Sequence, residues 1–101
     1  MLAIKNAILV MTDHYIPDGV ILIEDGKIVD FGKKLPIPEG AEVLDAEGRY
    51  VGPGLIDIHT HADGDTYFHD DPVKCSNTLL KHGVTSVLPV LFYSMYKQEH
   101  L

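Results

Sequence analysis

The chain has a single cysteine, Cys75, among 101 residues. One thiol cannot close an internal disulfide, so a disulfide scaffold is excluded and a reducing compartment is expected. Basic residues are few: Lys and Arg number 8 against 15 Asp and Glu, a formal net charge of −7. Nucleic-acid binding needs clustered Lys and Arg, so that class of partner is excluded too. No apolar run approaches the roughly 20 residues of a membrane span, so no membrane partner is expected. Met1-Leu2-Ala3-Ile4-Lys5-Asn6 lacks a basic segment followed by a continuous apolar one, the pattern of an export signal. A cytoplasmic protein is the expectation. Internal repeats and low-complexity tracts are absent, and Gly19, Gly32 and Gly40 do not space as a phosphate-binding loop.

What is present is ordinary globular material, 46% hydrophobic and 23% charged. A chain of this length buries roughly two thirds of its unfolded surface, enough for a modest core. The acidic residues are scattered and read as a solvated surface. Residues 1–50 read as short strands and turns. Ile4 to Met11 suits a first strand, and His14-Tyr15-Ile16-Pro17-Asp18-Gly19 has the composition of a turn. Val20 to Glu24 and Lys27 to Gly32 flank Asp25-Gly26. Two β-rich runs around Asp-Gly predict a hairpin with a type I′ turn, because both central positions need positive φ. Leu35-Pro36-Ile37-Pro38-Glu39-Gly40 predicts an extended surface connection. Glu42 to Asp45 and Arg49 to Val51 predict two more short strands, completing a small β-sandwich or partial barrel.

After Gly52-Pro53-Gly54 the pattern changes. Leu55-Ile56-Asp57-Ile58-His59-Thr60-His61 predicts a buried strand, and Ala62 to His69 a polar loop. Asp71-Pro72 predicts a helix start, with Asp71 as N-cap, and His82-Gly83 its end. Val84 to Val90 predicts a strand buried on both faces. Strand, loop, helix and strand make one βαβ unit. Such a unit leaves a sheet edge and an apolar face uncovered, so it reads as the opening of something larger, and a homo-oligomer or self-association is expected.

The chemistry concentrates at the end of the predicted 55–61 strand. Alternation along a strand puts Asp57, His59 and His61 on one side and Ile56 and Ile58 on the other. Two imidazoles at one strand end can reach one metal ion. Asp57 can orient an imidazole or hydrogen-bond the backbone; either role would satisfy a buried carboxylate. Asp63, Asp65, His69, Asp70 and Asp71 read as a solvated acidic loop rather than a second site. His82 suits a helix C-terminus. Cys75 reads as a small packed residue, and Thr85 and Ser86 as structural. His14 and His100 have no context.

These residues resemble a known family. Short N-terminal strands, then Pro53-Gly54-Leu55-Ile56-Asp57-Ile58-His59-Thr60-His61, then a helix ending in His82-Gly83-Val84-Thr85-Ser86, resemble the amidohydrolase superfamily of metal-dependent hydrolases. The resemblance implies an α/β fold: residues 1–51 contribute to a small β-sandwich, and residues 52–101 begin a (β/α)₈ TIM barrel that this chain leaves incomplete. It implies that His59 and His61 are metal ligands supported by Asp57, holding Zn²⁺ or another divalent metal, one or two ions in the intact enzyme. Those ions would activate water against the C–N bond of a small-molecule amide. Gly83 to Pro89 is similar to N-acetylglucosamine-6-phosphate deacetylases, and the strand motif is shared with the dihydroorotase and hydantoinase branch. The remaining ligands and the general base of the family lie in later strands, so an inactive N-terminal fragment of a hydrolase is expected. A self-contained β-rich binding or assembly module, with an incidental His pair, is the alternative from a different class.

Overall fold

The computed structural model describes residues 1–61 and 64–90. Contacts divide the chain into one unit over Met1–Pro53 and a second from Gly54 onward.

The first unit is a single five-stranded sheet. Its strands are β1 (Leu2–Val10), β2 (Tyr15–Glu24), β3 (Lys27–Lys33), β4 (Glu42–Asp45) and β5 (Tyr50–Val51). The order is β3-β2-β1-β4, with β5 also paired to β1. The β2–β3 hairpin forms as predicted: Asp25 and Gly26 sit at φ 50° and 74°, the left-handed pair of a type I′ turn. On its other edge β1 pairs in parallel with β4 at Leu2 to Lys5 and with β5 at Ile8 and Leu9. The two short strands therefore share one edge, end to end. Between them Gly48 N–H donates to the Asn6 carbonyl at 2.7 Å, where the β1–β2 register shifts.

Two expectations need correction here. The 14–19 segment is not a turn, because Tyr15 to Gly19 belong to β2. Pro17 falls where the β1–β2 register slips between Leu9–Ile16 and Ala7–Gly19, a position that needs no ladder N–H from proline. The prolines of 35–40 do keep the segment extended, but it is more than a surface connection. Leu35, Ile37 and Ala41 pack on Ala3, Val20 and Leu22, the buried cluster of this unit. Pro36 and Pro38 alternate outward, so the segment uses strand-like alternation to cover a sheet face without joining the ladder. Strands β1 to β5 form one sheet among the described residues.

The second unit holds β6 (Leu55–Thr60), α1 (Pro72–Lys81) and β7 (Val84–Pro89). β6 and β7 pair in parallel, which makes the predicted βαβ unit. The helix has the expected ends. Asp71 accepts from the Lys74 N–H at 3.0 Å, Pro72 opens the first turn, and Gly83 takes φ 86° just after the His82 C-cap. The two strands are not buried as predicted: Ile56 and Ile58 are each 72% exposed and Leu88 63%. One helix and two strands cannot cover both faces of a parallel pair, so the apolar pattern outruns the surface available to bury it. Conversely, the 64–69 segment is less open than its polarity suggested. Phe68 is buried, and fully buried Cys75 donates its thiol to the Thr66 carbonyl at 2.9 Å. Among the described residues no helix is long and apolar enough to cross a membrane.

Candidate metal centre

The site is built on the end of β6. Alternation carries Asp57 and His59 within the strand, with His61 one step past its end at Thr60. The His59 and His61 rings stand 5.1 Å apart between centroids and are almost perpendicular, at 83°. An imidazole bound at about 2.0–2.1 Å sets its ring centre about 3.2 Å from the ion, so two rings on a tetrahedral ion stand roughly 5 Å apart. The observed separation fits that requirement, and imidazole nitrogen is an ordinary donor for zinc and related divalent ions.

Each histidine is tied at a different point. The His59 backbone N–H donates to an Asp57 carboxylate oxygen at 3.0 Å. Of the two roles open to Asp57, backbone hydrogen bonding is the one present in the structure. His61 Nδ1 lies 2.9 Å from the Val90 carbonyl oxygen, which can only accept. Nδ1 therefore carries the proton, and the lone pair of the neutral ring sits on Nε2. Val90 follows β7 directly, and its own N–H donates to the Thr60 carbonyl at 2.8 Å. The parallel ladder thus continues past both strand ends and brings the Val90 carbonyl to the His61 ring. No sequence signal marked Val90, because every residue carries a carbonyl and only pairing register selects this one.

The other sequence candidates have contacts of their own. The His69 Nε2 is 3.3 Å from an Asp70 carboxylate oxygen, and its ring stacks on Tyr67 at 5.6 Å and 12°. Asp71 is the helix cap, His82 the C-cap, and His14 contacts Asp13 at 2.6 Å in an exposed pair. Asp63 and His100 lie outside the described residues. Among the described residues no cluster of three His, Cys, Asp or Glu side chains is disposed to hold a metal.

No family model matches the chain. Individual relatives do. The dihydroorotase of Trichlorobacter lovleyi is 35% identical over 88 residues, covering 85% of this chain and 21% of that protein. The D-hydantoinase of Geobacillus stearothermophilus is 51% identical over 72 residues, covering 67% of this chain and 15% of its own length. Among solved structures, the D-hydantoinase of Bacillus sp. AR9 superposes with a TM-score of 0.74 at 31% identity, over 98% of this chain and 22% of that one. The chain belongs to the amidohydrolase superfamily. It matches the N-terminal region of these amidohydrolases and spans about a fifth or less of the relatives' length. The N-acetylglucosamine-6-phosphate deacetylase of Pasteurella multocida has the same fold over 87% of this chain and 24% of its own, with a TM-score of 0.70 at 24% identity.

Proposed function

We propose that this chain forms the N-terminal section of a metal-dependent amidohydrolase that hydrolyses a C–N bond in a small-molecule amide. In this reading residues 1–51 contribute to a small β-sandwich, and the unit from Gly54 onward opens a (β/α)₈ barrel. His59 and His61 hold a divalent ion, with zinc the first candidate. The perpendicular ring pair at 5.1 Å, at the C-terminal end of a parallel strand, carries the proposal. Catalytic residues of such barrels sit at that end of the strands. The names dihydroorotase and D-hydantoinase among the relatives support the substrate class.

His59 and His61 would hold the divalent ion, which would supply Lewis acidity towards a water and a carbonyl. The chain's own residues supply position. β6 sets both imidazoles at one strand end, and Asp57 holds the main chain at His59 through its 3.0 Å bond. A catalytic zinc normally takes three protein ligands and a water. Of these, the described residues are proposed to contribute two, the imidazoles of His59 and His61. Among the described residues β6 and β7 pair with no third strand, an arrangement that favours self-association, and the single thiol suits a reducing cytoplasm.

Zinc calorimetry on the wild type and on a His59→Ala, His61→Ala double variant tests the ligand assignment. Binding by the wild type and loss in the variant is expected; equal binding by both proteins would sink it.

A further inference from the structure

We infer that the Val90 main chain is a positioning element for the metal site: its carbonyl fixes His61 in the Nδ1–H tautomer and aims Nε2 at the ion. The inference rests on the metal reading of His59 and His61, but the device itself is a property of the chain without metal.

The argument starts from β7. Pro89 closes that strand and has no N–H to offer, so the next main-chain donor is the Val90 amide. That amide donates to the Thr60 carbonyl at 2.8 Å, and the Val90 carbonyl accepts from His61 Nδ1 at 2.9 Å. Val90 therefore clamps two consecutive residues of the partner segment, one through its donor and one through its acceptor. The clamp spans 29 positions in sequence. It also closes on a half-buried ring, where the choice of proton position is costly to reverse. A carbonyl cannot donate, so a neutral His61 with the proton on Nε2 would lose this bond and set two acceptors against each other. Only the Nδ1–H form keeps the bond, and in that form the ring nitrogen able to ligate a cation is Nε2. Metal-bound histidines are generally oriented in this way by the partner of their second nitrogen, and removing such a partner typically costs about 10–100-fold in metal affinity. Because the acceptor directly follows β7 and the ligand directly follows β6, the tautomer reports whether the parallel pair is in register at its C-terminal end.

The test weakens the Val90 carbonyl without changing any side chain. Replacing Leu91 by its α-hydroxy acid turns the Val90–Leu91 amide into an ester, whose carbonyl is a poorer acceptor. Nitrogen-15 NMR of the metal-free chain at alkaline pH then reads the tautomer directly. The expected result is a pyrrole-like Nδ1 and a pyridine-like Nε2 at His61 in the wild type, a shift towards the reverse pattern in the ester, and about 10-fold or greater loss of Zn²⁺ affinity in calorimetry. An Nε2–H wild type, or a tautomer population unchanged by the ester, overturns the inference. Because the tautomer is read without metal, a wild type that shows Nδ1–H but binds no Zn²⁺ would overturn the metal assignment and uphold the clamp. A Val90→Pro variant, which removes the amide donor to Thr60, provides a second perturbation. It is expected to shift the tautomer in the same direction while leaving the β1–β3 amide resonances in place, and a folded variant with an unshifted tautomer counts against the clamp.

Discussion

The Asn6 side-chain amide donates to both carboxylate oxygens of Asp45, at 3.0 and 2.9 Å, across the seam between β1 and β4. Asn6 stands at φ 53°, a left-handed position that asparagine tolerates better than most residues, and the Glu47 N–H adds a third bond to the same carboxylate at 2.8 Å. The Glu47 N–H and then Asn6, with Lys5 nearby, hold the Asp45 carboxyl below its ordinary value. A depressed carboxylate stabilises the fold above the pKa it has when unfolded, and that contribution disappears as pH falls through the folded value. Urea unfolding of the wild type and Asp45→Asn should therefore differ at neutral pH and converge well below the usual carboxylate range. A gap that persists or widens in acid would contradict the sign.

Gly19 lies against Leu9. A Cβ at Gly19 would stand 2.4 Å from Leu9 Cγ, and Leu9 is only 2% exposed. Gly19→Ala should cost about 1–3 kcal/mol by overpacking. The Gly19→Ala, Leu9→Ala pair should be less destabilised than the sum of the two single variants, because removing the leucine relieves the clash. Additive denaturation energies would argue against this contact.

Asp71 caps α1 through the Lys74 N–H. Asp71→Ala should cost about 0.5–2 kcal/mol, and Asp71→Ser or Asp71→Asn should restore most of it. Thermal melts of the three variants distinguish the loss of a cap from the loss of a charge.

Phe68 is the buried anchor of the segment between β6 and α1, and its N–H reaches the His61 carbonyl at 3.4 Å. Truncating it to alanine should loosen the ligand-bearing strand end. The expected readout is faster amide exchange at residues 66–68 and weaker Zn²⁺ binding, with exchange in β1 and β2 unchanged. Unchanged exchange at 66–68 would show that Phe68 does not hold this segment.

The features legible in the residues alone are those decided within a few positions of chain. Asp25-Gly26 forms its turn because the two residues accept positive φ, and Asp71, Pro72 and Gly83 bound α1 because caps are satisfied by the nearest N–H and C=O groups. The placement of His59 and His61 follows equally from strand alternation. Other features needed partners far away in sequence. Tyr15 to Gly19 read as a turn by composition, yet pairing with β1 makes them strand; Leu35 and Ile37 read as surface, yet they find the Ala3–Val20–Leu22 cluster to cover. Ile56 and Ile58 read as core, yet their burial depends on how much other surface is there to meet them. Local dihedral preference and capping act between neighbours and so are written in the sequence; register, burial and the hydrogen bond from His61 to Val90 depend on which distant backbone arrives alongside, and only the tertiary structure decides that.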